Sequence, residues 1–239
     1  PVFCQLYAID YKKIPLEKDF SINVEKYQQP NGGIIFPNPN APTGMLMGLE
    51  FIEQLLEKNT DSVVVVDEAY IDFGGQTAAS LINQYENLLV VQTMSKSRSL
   101  AGMRVGYALG SQSLIEGLNR IKNSFNSYPL GHLQVAAAIA AFDDKAHFES
   151  SRQKVITERE RVTSQLEAMN FEVLPSTANF VLARHNQKSA VDLAVMLRDQ
   201  GIIVRHFSKP RIDQYLRVTI GAEDQNNLLI DNLQKILQA

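Results

Sequence analysis

Val63-Val64-Val65-Val66-Asp67-Glu68-Ala69-Tyr70 sets four β-branched residues directly before two carboxylates and a phenol. A short continuous apolar run of this kind reads as a strand buried on both faces, as strands of parallel sheets are. The pattern repeats outward in both directions. Upstream, Ile34-Ile35-Phe36 is a similar run, and residues 49–57 between the two carry apolar side chains at the three- and four-residue spacing of an amphipathic helix. Downstream, residues 78–85 show helical spacing again before the run Leu88-Leu89-Val90-Val91. Strand, helix, strand, helix, strand implies a parallel sheet with crossover helices. Residues 105–109 read as one more strand of that sheet.

The pattern changes near residue 145. A long polar-rich helix over about residues 146–169 precedes strands at 171–174 and 180–183. A helix at 190–199, strands at 202–205 and 215–220 and a last helix from Glu223 follow. Gly201 stands where a helix C-cap glycine belongs. The expectation is an α/β chain: a mostly parallel large domain over residues 1–144, joined through a helix around 133–142 to a smaller α+β domain over 145–239.

Bulk composition excludes several functions. The 239 residues are 45% hydrophobic and 21% charged, ordinary for a soluble protein. A net charge of -3 gives no electrostatic case for nucleic acid or an anionic membrane. No apolar run reaches the ~18 residues of a transmembrane helix. The single cysteine, Cys4, makes neither an internal disulfide nor a zinc site, and the four histidines lack metal-ligand spacing. A cytoplasmic chain without a metal site is the expectation. The chain opens without Met, and the apolar residues 2–9 read as a strand already under way, so a preceding N-terminal part is expected.

Ligands of open parallel sheets bind beyond the carboxyl ends of the strands, and chemistry-bearing residues recur there. The first strand runs into Pro37-Asn38-Pro39-Asn40-Ala41-Pro42-Thr43-Gly44, the second into Asp67 and Tyr70, the third into Thr93-Met94-Ser95-Lys96-Ser97, with Arg104 close behind. Singly each has a plainer reading. Asp67 could cap a turn, the Asn/Pro loop could be only a turn, Lys96 could be a solvated lysine and Arg104 an ion-pair partner. Together they suit one kind of ligand. A strand-end carboxylate suits a cationic ring nitrogen, a phenol and an amide suit a ring hydroxyl, hydroxyls with an arginine suit a phosphate, and an amine suits an aldehyde. Pyridoxal phosphate has all four features.

The same residues resemble a known family. Asn38-Pro39-Asn40-Ala41-Pro42-Thr43-Gly44, Asp67-Glu68-Ala69-Tyr70, Ser95-Lys96-Ser97-Arg98-Ser99-Leu100-Ala101-Gly102-Met103-Arg104 and Leu216-Arg217-Val218-Thr219-Ile220-Gly221 are similar to the blocks of class II aminotransferases, enzymes of fold type I. Within them the chain most resembles the histidinol-phosphate aminotransferase family. That family's phrases D-E-A-Y-x-(D/E)-F, L-A-G-(L/M)-R-x-G and G-I-(I/V)-x-R fall at residues 67–73, 100–106 and 201–205.

The resemblance implies roles. Lys96 would hold the cofactor's aldehyde and later move the proton at the substrate Cα. Asp67 would pair with the ring nitrogen, opposite charges keeping both ionised. Tyr70 would bond the ring oxygen O3′. Ser95 and Arg104, with Thr93, would hold the cofactor phosphate, while Arg217 and Arg205 would grip the substrate's anionic end. The family more often has Asn where Ala41 stands, so either Asn40 takes the contact to O3′ or Tyr70 makes it alone. The resemblance further implies a homodimer, an amino donor and a 2-oxo acid as substrates, and L-histidinol phosphate with 2-oxoglutarate as the leading pair. An aromatic or other amino-acid aminotransferase, a phosphothreonine-type decarboxylase and a catalytically incompetent fragment remain as alternatives. The family's N-terminal part, with its phosphate loop and stacking aromatic ring, has no counterpart in these residues.

Overall fold

The computed structural model describes residues 1–238. Strands Gly33–Pro37 (β1), Val63–Asp67 (β2), Leu88–Thr93 (β3) and Gly106–Gly110 (β4) form one sheet in that order. The first three are parallel, and β4 returns antiparallel to β3. Helices Val2–Leu6 (α1) and Leu49–Lys58 (α2) belong to this part of the chain. One face of the sheet is filled by Ile34, Phe36, Val64, Val66, Leu88 and Val90, packed on Ile52, Leu55 and Leu56 of α2 and on Ala78 and Leu81. Helix α2 shows why its sequence reads as amphipathic: its three buried residues fall at helical spacing along one face. The other face of the sheet is less covered, with Val63 and Val65 half-buried and Ile35 75% exposed.

Gln112–Phe125 (α3), His132–Asp143 (α4) and Lys145–Ala168 (α5) follow. Phe171–Val173 (β5), Phe180–His185 (β6), Ala190–Asp199 (α6), Arg205–His206 (β7), Leu216–Thr219 (β8) and Glu223–Gln238 (α7) complete the described chain. The second sheet is antiparallel throughout, in the order β5-β6-β8-β7. Its core joins Val162 and Leu166 of α5, Leu193 and Leu197 of α6 and Leu229, Ile230 and Leu233 of α7 to Val181, Leu216 and Val218. Gly201, at φ +77°, ends α6 as the sequence predicts. Its N–H donates to Arg198 and that of Ile202 to Leu197, the pair of bonds that satisfies the last helical carbonyls.

Three sequence expectations need correction, and one helix was missed. Residues 2–6 are helical rather than a strand: their amides bond locally, Gln5 N–H to Pro1 and Tyr7 N–H to Phe3. Residues 78–85 hold only a short 3₁₀ turn, Ala78–Leu81, from which Ala78 and Leu81 enter the core of the first sheet. The strand expected at 202–205 shrinks to Arg205–His206, the part facing Leu216 and Arg217. Helix α3 was not predicted, and none of its residues is buried. A cavity of about 990 Å³ lies along the open edge of β1, between that strand and residues 9–14, with Asn40 on its wall.

Candidate active site

The parallel strands deliver their following loops to one end of the first sheet. Asn38 N–H donates to the Asp67 carbonyl at 2.8 Å, tying the β1 loop to the end of β2, and Glu68 N–H donates to Val91 at 2.8 Å, tying β2 to β3. The buried Asn38 amide accepts from Met47 N–H at 2.7 Å and donates to the Met47 carbonyl at 3.0 Å, so this residue shapes its loop. Asn40 Oδ1 accepts from Thr43 Oγ1 at 3.0 Å. Gly44, at φ +81°, lies so close to Ser176 that an added Cβ would fall 2.3 Å from its Oγ. Only glycine lets this loop touch the second sheet.

Asp67 Oδ1 accepts from Ala69 N–H at 3.0 Å, and no cation pairs with this carboxylate among the described residues. Lys96 likewise has no acidic partner among them; its Nζ lies 5.1 Å from the centroid of the Tyr70 ring. The Tyr70 ring meets Phe180 of β6 edge to face at 5.1 Å. Phe180 in turn lies 5.0 Å from the Arg217 guanidinium. Arg217 and Arg205 face each other in register across β8 and β7, both near the Phe207 ring, at 5.8 and 5.6 Å. Lys96, Tyr70, Phe180, Arg217, Phe207 and Arg205 therefore form one continuous wall crossing from the first sheet to the second.

Thr93 and Ser95 stand at one end of the loop between β3 and β4, and Arg104 at the other. Met94 N–H donates to the Val105 carbonyl at 3.1 Å, which brings the adjoining Ser95 and Arg104 to the same opening. The Thr93 hydroxyl accepts from Ser95 N–H at 3.1 Å and lies 3.0 Å from Ser95 Oγ, so its visible work is to shape the turn before Lys96. Arg104 is exposed, in the left-handed region at φ +56°, with Nη1 donating to its own turn at Ala101.

Two positive side chains without acids, aligned on adjoining strands, attract anions. Arg217 Nε is buried and has no hydrogen-bond partner among the described residues. Leaving a buried donor unpaired costs about 1–3 kcal/mol, a cost that an anionic ligand would offset. Sequence reasoning missed Phe180 and Phe207, whose rings carry the wall across, because an isolated Phe in a strand reads as core. It also missed Glu68, which is 2% exposed. Glu68 accepts from Thr77 Oγ1, Ala78 N–H and Gln92 Nε2 at 2.6, 2.6 and 2.7 Å, and Gln92 Oε1 accepts from Tyr107 at 2.7 Å. Burial pushes the Glu68 carboxyl above its ordinary range, although the three hydrogen bonds pull the other way.

Residues 1–233 match the family described as aminotransferase class I and II. The chain belongs to that family, whose enzymes work with pyridoxal 5′-phosphate. A histidinol-phosphate aminotransferase of Pseudomonas putida (strain W619) is 62% identical over 233 residues, which are 98% of this chain and 67% of that protein. The chain thus spans about two-thirds of that relative's length. Among solved structures, the histidinol-phosphate aminotransferase from Clostridium acetobutylicum superposes with a TM-score of 0.92 at 24% identity, over 99% of this chain and 74% of the other. That from Sinorhizobium meliloti, in complex with pyridoxal-5′-phosphate, superposes with a TM-score of 0.87 at 21% identity, over 99% and 67%. Both share the fold. No helix among the described residues is long and apolar enough to cross a membrane.

Proposed function

We propose that this chain carries the cofactor and substrate residues of an aminotransferase that converts L-histidinol phosphate and 2-oxoglutarate to imidazole-acetol phosphate and glutamate. Curated relatives at 57–62% identity carrying the histidinol-phosphate aminotransferase name support the substrate. The observation that carries the reading is the continuous wall from Lys96 to Arg217, an amine at one end and an unpartnered guanidinium at the other.

The side chains fit pyridoxal phosphate by their chemistry: an amine with no acid partner, a carboxylate with no cation partner, and hydroxyls beside an arginine. When bound, that cofactor supplies an aldehyde for amines and a ring that accepts the electron pair left when Cα loses a proton. Asp67 would hold the ring nitrogen protonated, each charge favouring the other. Tyr70 would bond the ring oxygen, with Asn40 beside it at the loop. Ser95 and Arg104 would hold the phosphate, with Thr93 setting the turn that presents Ser95. Lys96 would bind the cofactor and then act as the base that takes the proton from Cα and returns it one carbon away. Arg217 would pair with the phosphate of the substrate, and Arg205, in register beside it, would add a second positive charge.

We also take residues 1–144 as the large domain and 145–239 as the small one, the working form as a homodimer and its compartment as the cytoplasm. A second reading, cofactor binding without turnover, is favoured by one observation: the β1 edge beside Asn40 is open to a wide cavity.

Borohydride reduction in the presence of pyridoxal phosphate, followed by peptide mapping, should place the label on Lys96. Steady-state kinetics should then give histidinol phosphate a clear kcat/KM advantage over phenylalanine. Equal values would sink the substrate, and labelled Lys96 without any turnover would favour the second reading.

A further inference from the structure

The motif residue Asp72 has no part in the site described so far, yet it reaches the loop of Lys96. It lies in the 3₁₀ turn Ile71–Phe73, directly after Tyr70. The hydroxyl of Ser97, a residue only 7% exposed, donates a hydrogen bond to Asp72 Oδ2. Lys96 is thus gripped twice by one four-residue segment: the Tyr70 ring under its ammonium and the Asp72 carboxylate on the next residue.

The segment itself is braced from α5. Arg152 Nη1 donates to the Asp72 carbonyl at 3.4 Å, and Arg159 Nη1 donates to the Phe73 carbonyl at 2.8 Å and the Ala178 carbonyl at 2.9 Å. The backbone ties on the lysine loop are local. Ser95 N–H reaches Thr93, Ser99 N–H reaches the Lys96 carbonyl at 3.1 Å, and Leu100 N–H reaches Met94 at 3.0 Å. Two side-chain hydrogen bonds join the loop to other elements, Ser97 to Asp72 and Arg98 Nη1 to the Ala141 carbonyl of α4, and Ser97 is the one that adjoins Lys96. Lysine has a flexible four-carbon stem, so the position of its amine depends on how firmly its backbone is held.

We infer that Asp72 is a positioning residue for Lys96, acting through the Ser97 hydroxyl and anchored by Arg152 and Arg159. The inference rests on the reading of Lys96 as the cofactor lysine. It assigns the third acidic position of the D-E-A-Y-x-D-F stretch a role distinct from that of Asp67: Asp67 would face the cofactor, while Asp72 fixes the loop that presents the amine.

The test is the rate of borohydride trapping of pyridoxal phosphate on Lys96, read by peptide mapping, together with thermal melting of each variant. Asp72→Ala and Ser97→Ala should each slow trapping about tenfold, the range of one charge-assisted hydrogen bond, and the double variant should be no slower than either. Asp72→Asn keeps an oxygen that accepts from Ser97 and should stay within about twofold of the unaltered chain. In turnover the loss should fall on kcat rather than KM. Should Asp72→Ala fail to fold, Ser97→Ala carries the test, because it removes the same bond with one small atom. Label on Lys96 at an unchanged rate in Asp72→Ala and Ser97→Ala overturns the inference and leaves the reading of Lys96 intact, and so do additive effects in the double variant. Label on another lysine in the unaltered chain overturns both.

Discussion

The two ends of the site wall are built on opposite plans. Around Lys96 the supporting polar groups have protein partners: Thr93 with Ser95, Ser97 with Asp72, and Glu68 with Thr77, Ala78 and Gln92. The Lys96 amine itself has no acidic partner among the described residues. Around Arg217 there are rings but no acids, and Nε is buried without a partner. A hydrogen-bonded network fixes geometry before any ligand arrives, whereas an unpaired buried cation leaves its interaction energy for a ligand. The first end is organised to hold a reactive group in place, the second to attract a charge.

The most severe way to break this contrast is Lys96→Ala. It should abolish borohydride trapping and lower kcat by about 10⁴-fold or more, the upper end of what a positioned acid–base group contributes. Retention of the visible absorbance of the bound cofactor in that variant would move the lysine's role elsewhere. Arg217→Ala should lower kcat/KM for the phosphorylated substrate by about 10²-fold, roughly 3 kcal/mol of charged hydrogen bonding. Its melting temperature without ligand should hold or rise, since the substitution removes an unsatisfied buried donor; a clear fall would show that the arginine supports the fold instead. Arg217→Lys should restore little, because an ammonium cannot reproduce the planar two-point grip of a guanidinium.

Much of the first end was legible in the sequence, and little of the contrast was. Four valines before Asp67 and the β3 run before Lys96 mark strand ends, and strand ends are where parallel sheets place ligands. Arg205 and Arg217 were legible as arginines, but their register across β7 and β8 depends on a pairing between segments separated by a polar loop. Glu68 shows the limit most clearly. Nothing in the sequence assigns it a role, yet alternation along the chain turns it to the face opposite Asp67, where Gln92 and Thr77 donate to it. Helix α4 errs in the other direction: His132–Asp143 is rich in Ala, Val and Ile, yet buries none of its residues. Apolar composition predicts a helix that can be covered; burial depends on what lies against it.

Glu68 also gives the mildest and sharpest test of the hydrogen-bonded end. Its substitution by alanine leaves Ala78 N–H and the Gln92 amide without acceptors and should destabilise the chain by about 2–4 kcal/mol, as lost partners of buried polar groups do. Glutamine behaves differently. Its amide can accept from Ala78 and donate to a flipped Gln92, whose own NH₂ can then donate to the Tyr107 oxygen, so the ladder across β2, β3 and β4 survives in reverse sense. What changes is the charge. Burial holds the Glu68 carboxyl above its ordinary range in the folded chain, so on raising the pH from mild acid the unfolded chain loses this proton first. Folded stability from this group therefore falls as pH rises from the ordinary glutamate range through the raised folded value, and is level above it. Glu68→Gln has no such proton and should gain on the unaltered chain across that window, by about 1 kcal/mol or less. Urea melts from pH 4 to pH 8 would show the two stability curves converging or crossing; parallel curves would mean that Glu68 is as well solvated by its three donors as it would be in water, and that the hydrogen-bonded end of the wall imposes no cost on its buried charge.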